Sequence, residues 1–286
     1  MAIVFKDVFY IYNRKTPLET EALNGISFSI AKGSFTALVG RTGCGKSTLI
    51  QHINALLNPA QGEVDIDGWI NAAEKKKRSK KVKDLRRHVG LVFQFPEYQL
   101  FEETVEKDVA FAPKNFGMSD EDALKAAHAA LLSVGLNESF FKRSPFELSG
   151  GEKRKVAIAG ILAFHPDILV VDEPTAGLDP LGAKAMMELF KSIHDAGTTV
   201  VLVTHDMNIV LAYCDSVVVL DNGKIVSITD PVSLFSQDIE KYSLETPLIY
   251  QLVKDLEQRG AHLDLTKIKD LGSLADQLVA LKGKVS

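Results

Sequence analysis

The sequence predicts an α/β fold built on a parallel sheet, and three observations predict it. Ser34–Val39 is a short apolar run that leads into Gly40-Arg41-Thr42-Gly43-Cys44-Gly45-Lys46-Ser47, after which the apolar spacing turns helical. Ile168–Val171 and Thr199–Val203 are short β-branched runs of the kind that parallel sheets bury. Ala183–His194 lies between them with helical spacing, which makes a β-α-β alternation.

The remaining elements follow in chain order. Ile3–Tyr12 alternates loosely and Ile26–Ile30 resembles a strand, so the first sixty residues or so read as β-rich. Gly62–Gly68 alternates between glycines, as an edge strand or hairpin arm does. Residues 74–87 form a dense basic stretch, expected to be a solvated loop and helix face; attraction to anionic lipid headgroups is the sharper alternative. Ser119-Asp120-Glu121-Asp122 opens a helix that runs to Val134 and closes at Gly135, with acidic residues in the first turn as the helix dipole prefers. A second helix is predicted from after Gly150 through Lys155–Phe164 to Pro166. Asp221-Asn222-Gly223-Lys224 is a hairpin turn between Ser216–Leu220 and Ile225–Ile228. Beyond residue 230, Pro231–Arg259 and Leu271–Lys282 read as helices joined by a short polar segment.

Composition narrows the function classes. The 286 residues are 46% hydrophobic and 24% charged, an ordinary balance for a chain that buries a real core. Thirty-three basic against 37 acidic residues leave a net charge of −4, so no global field draws the chain to nucleic acid, and no nucleic-acid partner is expected. Cys44 and Cys214 show neither paired nor metal-type spacing, which argues against a disulfide framework or zinc site and fits a reducing compartment. Apolar stretches such as Val156–Phe164 fall far short of the roughly 20 residues that a spanning helix needs. The start of the chain shows no basic leader followed by an apolar block, so no signal peptide is expected.

Three motifs carry chemistry. Gly40–Ser47 matches the phosphate-loop pattern, in which glycines let successive N–H groups converge on phosphate oxygens. Lys46 supplies a point charge to the terminal phosphates, the Ser47 hydroxyl is suited to Mg²⁺, and the following helix adds its positive end. Ile168–Val171 ends in Asp172 and Glu173, the first suited to Mg²⁺-bound water and the second to polarising an attacking water. Leu148-Ser149-Gly150-Gly151-Glu152 places Ser and two glycines before a helix, a second anion-binding edge. A phosphate loop and a separate Ser-Gly-Gly helix start in one chain suggest a nucleotide trapped between two subunits.

Taken together, these motifs resemble the ATP-binding cassette (ABC) ATPases, over about residues 1–230. The resemblance implies a P-loop fold with a RecA-like parallel-sheet core, an antiparallel β subdomain and a lid and helical subdomain at about residues 95–165, followed by a small C-terminal helical extension at 231–286. It implies ATP and Mg²⁺ as ligands. Tyr12 would stack on adenine, and Gly40, Arg41, Thr42, Gly43, Cys44, Gly45, Lys46, Ser47 and Thr48 would hold the phosphates. Ser47, Gln94 and Asp172 would serve the metal, with Gln94 also the lid glutamine. Lys46, Gln94, Glu173 and His205 would be catalytic, His205 as the switch on the γ-phosphate. Asp179, in Gly177-Leu178-Asp179, would link the two sites of a dimer, and Ser149, Gly150, Gly151 and Glu152 would close on the partner's ATP. The family's commonest form has glutamine where this chain has Glu152, which would place an extra carboxylate near that nucleotide.

The stretch Phe93–Val105, followed by Asp108–Pro113, is similar to the ATPases of energy-coupling-factor transporters, as is PFELSGGEKRKVAIAGILA. Within that group the chain is similar to the second of two ATPase paralogues that pair as a heterodimer. The resemblance implies uptake of vitamins or related micronutrients, cobalt or nickel included. It also implies a scaffold membrane subunit docking near Gln94–Asp108, small substrate-binding membrane subunits as indirect partners, and a peripheral place on the cytoplasmic face of the membrane. Glu97, Glu102, Glu103, Glu106 and Asp108 beside Phe95, Tyr98, Leu100 and Phe101 suggest a carboxylate-rimmed apolar groove for a basic helix. The alternatives are the ATPase of a conventional ABC transporter, which shares every catalytic residue, and a soluble non-transport ABC ATPase, which usually carries a coiled-coil insertion or a second cassette.

Overall fold

The computed structural model describes residues 1–268 and 270–282. Two sheets organise it. The smaller is antiparallel, in the order β2-β1-β4-β5, from β1 (Ile3–Tyr12), β2 (Thr20–Ile30), β4 (Gln61–Ile66) and β5 (Trp69–Ala72). The larger, in the order β10-β9-β3-β8-β7-β6, is built from β3 (Phe35–Val39), β6 (Val89–Val92), β7 (Ile168–Asp172), β8 (Thr199–Val203), β9 (Ser216–Asp221) and β10 (Lys224–Thr229). Its neighbours pair in parallel from β9 to β6, and only β10 runs antiparallel, through the predicted Asp221–Lys224 hairpin. Every residue of β3, β6, β7 and β8 is buried, because α1 (Lys46–Ile53), α5 (Gly150–Leu162) and α6 (Pro180–Asp195) help to cover the sheet faces.

The predicted Gly62–Gly68 strand is β4, an arm of the β4–β5 hairpin; it also pairs with β1 and so lies inside its sheet rather than at an edge. Two arginines of the basic stretch are structural. Arg78 donates to the carbonyls of Ala72 and Ala73, and Arg86 to those of Asn54 and Ala55 after α1. Its C-terminal part is α2 (Val82–His88), while Lys75 and Lys76 face solvent, as a solvated stretch should.

Between β6 and β7 lie α3 (Val105–Asn115), α4 (Asp120–Ser133) and α5. The Ser119 hydroxyl caps α4 by accepting from the Asp122 N–H, as the acidic first turn predicted. α7 (Met207–Tyr213) follows β8. The stretch predicted as one helix from Pro231 to Arg259 is broken into α8 (Pro231–Phe235) and α9 (Leu248–Gln258). The break falls where Ser243 turns to φ 55° and Pro247 cannot continue a helix. α10 (Leu271–Lys282) ends the described chain. Leu234, Phe235 and Tyr250 join the same core as the β-sheet residues Phe35 and Val171, while Val253, Ile268 and Leu274 form a small cluster of their own.

Candidate functional site

The phosphate loop joins β3 to α1 in conformations that demand glycine. Gly40 has φ 143°, and a Cβ there would lie 2.0 Å from the Leu220 carbonyl oxygen. At Gly45 (φ 109°) a Cβ would lie 2.5 Å from the Ala22 oxygen. Neither clash is tolerable against backbone, so the loop is packed tightly between β2 and the end of β9. The hairpin after β9 holds it from outside. Arg41 Nε lies 3.2 Å from Asp221 Oδ1, Arg41 Nη2 donates to Asn222 Oδ1 at 3.0 Å, and the Gly223 N–H donates to the Cys44 carbonyl at 3.0 Å. The Arg41 side chain therefore braces the loop against the hairpin, while the Lys46 ammonium donates to the carbonyls of Gly40 and Arg41 inside it.

An open cleft of about 520 Å³ is lined by Tyr12, Thr42, Gly43, Gly45, Lys46, Ser47, Thr48, Gln94, Asp172, Glu173 and His205. The sequence motifs and the family resemblance together had pointed to all of these, although they come from five separate parts of the chain. Val203 and Thr20, Glu21 and Ala22 complete the wall; the last three were missed in the sequence because nothing in the start of β2 carries a motif. The Tyr12 hydroxyl bonds the Thr48 hydroxyl at 3.1 Å, and its ring meets Tyr10 edge-on at 4.9 Å. Tyr10 in turn rests edge-on against His52, which is fully buried and donates from Nδ1 to the Thr48 carbonyl at 2.7 Å. Burial drives the His52 pKa down to about 4, so the ring is a neutral prop.

The acidic end of β7 is built for charge. Burial pushes the Asp172 carboxyl up and the neighbouring Glu173 charge adds to it, while the nearby Ser47 hydroxyl and Lys46 charge work against that. A buried carboxylate and the Ser47 hydroxyl, both oxygen donors lining the same cleft beside a phosphate loop, match what Mg²⁺ prefers. Glu173 sits at φ 47°, a left-handed conformation that is costly for a side chain with Cβ. Its N–H is tied to the Val203 carbonyl at 3.0 Å, and its Oε2 accepts from His205 Nδ1 at 2.9 Å.

The other residues singled out from the sequence lie outside this wall, and one expectation, the carboxylate rim, needs revision. Cys44 is 3% exposed and absent from the cleft wall; burial raises its thiol pKa, outweighing the nearby Lys46. Glu152 turns its Oε2 back onto its own helix start. Its Oε2 accepts from the Ser149 N–H at 2.8 Å and hydroxyl at 2.7 Å, while the Ser149 hydroxyl receives the Glu152 N–H, a capping box at the start of α5. Ser149, Gly151 and Glu152 line a second cleft beside α6, separate from the first, and a Cβ on Gly150 or Gly151 would meet nothing within 4 Å. Asp179 is likewise outside the first cleft and caps α6 by accepting from the Gly182 N–H at 2.7 Å.

The revision concerns the carboxylate rim. Glu97 is paired with Arg154 at 2.8 Å, and Glu106 is buried between Lys142 and His128. Asp108 accepts the Phe101 and Glu102 N–H groups, and Glu103 pairs with Lys107. Leu100 is buried, whereas Phe95, Tyr98, Phe101 and Phe111 remain exposed. The surface after Gln94 is thus aromatic, and most of its acids are engaged within the chain.

The match to known proteins agrees with this geometry. Residues 23–176 match the family model described as ABC transporter. The energy-coupling factor transporter ATP-binding protein EcfA2 of Streptococcus pneumoniae is 51% identical over 273 residues, covering 94% of this chain and 96% of the relative. The chain belongs to the ABC transporter family, among the energy-coupling factor ATP-binding proteins. The same-named protein of Enterococcus faecalis is 49% identical over 98% of this ABC ATPase and 96% of its own length. Among solved structures, cbiO1 of Clostridium perfringens, part of an ABC transporter complex, is 35% identical with a TM-score of 0.73 over 88% of this chain and 98% of its own. A dimeric post-hydrolysis ATP-binding cassette bound to ADP and Pi is 31% identical with a TM-score of 0.71, over 80% and 98%. The ABC ATPase described here is accordingly an ATP-hydrolysing transporter subunit. Among the described residues no helix is long and apolar enough to cross a membrane.

Proposed function

We propose that this ABC ATPase hydrolyses ATP in the Lys46–Glu173 cleft to drive micronutrient uptake, vitamins foremost, by an energy-coupling-factor transporter. One observation carries the reading: a single cleft gathers the phosphate loop, Tyr12, Gln94, Asp172, Glu173 and His205. Lys46 and the loop N–H groups bind the phosphates, and Tyr12 offers a ring to the adenine. Ser47, Asp172 and Gln94 would hold Mg²⁺, which when bound neutralises charge on the phosphates. Glu173 orients the attacking water and accepts its proton, while His205 Nδ1–H steadies the carboxylate. The open Ser149–Gly151 edge and Asp179 serve a second cassette, as the dimeric relative suggests. A paralogue is the proposed partner, with residues 1–230 forming the cassette and 231–286 an appended unit. The exposed aromatics from Phe95 to Phe111 receive a scaffold membrane subunit, which holds the chain peripherally on the cytoplasmic face and links it to small substrate-binding subunits.

The test is made in the complex itself. The tagged chain, drawn from mild-detergent membranes, should bring a second cassette, one scaffold protein and small membrane proteins, identified by mass. In that complex Glu173→Gln should bind ATP but lose turnover by on the order of a hundred-fold or more. Full turnover in that variant refutes the catalytic assignment, and a conventional fixed permease in place of the small proteins refutes the energy-coupling-factor reading.

A further inference from the structure

Arg154 is 4% exposed, in a helix whose neighbouring Lys153 and Lys155 reach the surface. Such burial is rare for arginine unless it is paired. Here four hydrogen bonds engage it. Nη2 and Nε form a fork onto Glu97 Oε1 and Oε2 at 2.8 and 3.1 Å, and Nη1 donates to the carbonyls of Pro174 and Ala176 at 3.2 and 2.8 Å. The guanidinium also lies 5.7 Å from the centre of the Phe95 ring. That ring is the nearest group to the space a Cβ on Gly177 would fill, at 3.8 Å.

These partners and Arg154 itself belong to three different parts of the machinery. Phe95 and Glu97 flank the lid just after Gln94, and Phe95 is itself held at φ 56°. Pro174 and Ala176 lie in the loop between Glu173 and Asp179. Arg154 stands two residues beyond Glu152 on α5, the helix whose open end faces the second cassette in the proposed dimer. We infer that Arg154 is a positioning residue that couples α5 to both the Gln94 lid and the Glu173 loop, so that seating of α5 on a second cassette sets the hydrolytic geometry. This rests on the roles given to Gln94 and Glu173 above. The physical basis is rigidity: the planar fork fixes Glu97 and two carbonyls at once, which a lysine ammonium on a flexible stem does not. Arg154 touches neither nucleotide nor water in this scheme and acts through the segments it holds.

The experiment uses the assembled transporter and compares Arg154→Met, Arg154→Lys, Glu97→Gln and the double variant Arg154→Met/Glu97→Gln. Arg154→Met should lower kcat on the order of ten- to a hundred-fold, the scale of a small misplacement of reacting groups. KM for ATP should stay within about two-fold, because the phosphate loop and Tyr12 are untouched. Arg154→Lys should not restore kcat, and the double variant should be no slower than Arg154→Met, since both changes break one fork. Should Arg154→Met fail to fold, Arg154→Lys and Glu97→Gln carry the same split. An unchanged kcat in a folded Arg154 variant overturns the inference, as do additive losses in the double variant or a KM that rises in step with the fall in kcat. Glu173→Gln separates the two readings. If it loses turnover while the Arg154 variants do not, only the coupling role falls; if it keeps turnover, the site assignment falls first.

Discussion

Glu152→Gln tests whether the carboxylate at the start of α5 caps its own helix or confronts a nucleotide across a dimer. In the structure both Ser149 donors converge on Glu152 Oε2, and those bonds hold its pKa below the usual carboxylate range. A glutamine amide oxygen takes the same position, so the box survives and only the charge–dipole attraction is lost. That attraction contributes about 0.3–1 kcal/mol at an exposed helix N-terminus, and salt weakens it. For a chain of this size the corresponding change in Tm is about 1–4 °C downward. The opposing case is far larger. A free carboxylate about 5 Å from a phosphate charge, at an effective dielectric near 20, would be repelled by about 3 kcal/mol, so its removal would tighten ATP more than a hundred-fold. The assay is the ATP dependence of hydrolysis in the assembled complex, with thermal melting of the isolated chain beside it. We expect KM to change less than about three-fold with a small fall in Tm. A KM lowered ten-fold or more, with Tm unchanged, would show that the carboxylate leaves Ser149 to face the nucleotide and would refute the capping argument.

Two further outcomes follow from burial. Cys44 should react with a thiol reagent at neutral pH more than about a hundred-fold slower than free cysteine, with or without ATP, because its thiol is enclosed and its pKa raised. Peptide mass analysis after timed labelling checks this, and rapid, ATP-protectable labelling would contradict the placement. Glu106 supplies a pH dependence. Burial pushes its carboxyl up, but the hydrogen bonds and charges of Lys142 and His128 outweigh that, leaving the folded pKa below the usual 4.5. The stabilisation is therefore present above the unfolded value and lost as pH falls through the folded one. Glu106→Gln should cost about 1–3 kcal/mol at pH 7, and the difference from the parent chain should shrink below about pH 4.5. Urea midpoints at pH 7 and pH 3.5 measure it, and a difference independent of pH would refute the pairing.

What the sequence disclosed depended on whether function or packing fixed the residue. Gly40–Ser47, Asp172 and Glu173 stood out because phosphate chemistry favours those residue types in that pattern, and His205 only through the family resemblance; β7 and β8 were legible because continuous β-branched runs mark buried parallel strands. β6 was missed: Val89-Gly90-Leu91-Val92 is short, carries a glycine and follows a charged helix. That glycine is a packing requirement, since a Cβ would lie 2.7 Å from Ile161 Cγ2, and such a need shows only once α5 is in place. α3 was missed for the opposite reason, since Pro113 within it reads locally as a helix breaker. The carboxylates from Glu97 to Asp108 misled because partners such as Arg154, His128 and Lys142 are tens of residues away. An acidic cluster and a set of separate ion pairs have the same sequence.

The two strained residues beside the cleft give this arrangement a common logic. Glu173 and Phe95 both hold left-handed backbone conformations that cost of order 1 kcal/mol or more for residues with side chains. Glycine at either place would relieve the strain, yet it would remove the carboxylate in one case and the ring over Arg154 in the other. The strain is held by specific bonds. The Glu173 N–H is fixed to Val203 on β8, the Glu173 carbonyl accepts from the Ala176 N–H at 3.2 Å, and the Ala176 carbonyl accepts from Arg154. Phe95 is held between that same guanidinium and Gly177. On the coupling inferred above, a displacement of α5 would reach Phe95, beside Gln94, and the Glu173–Ala176 turn through the contacts of one side chain, Arg154, rather than through the fluctuation of a loop.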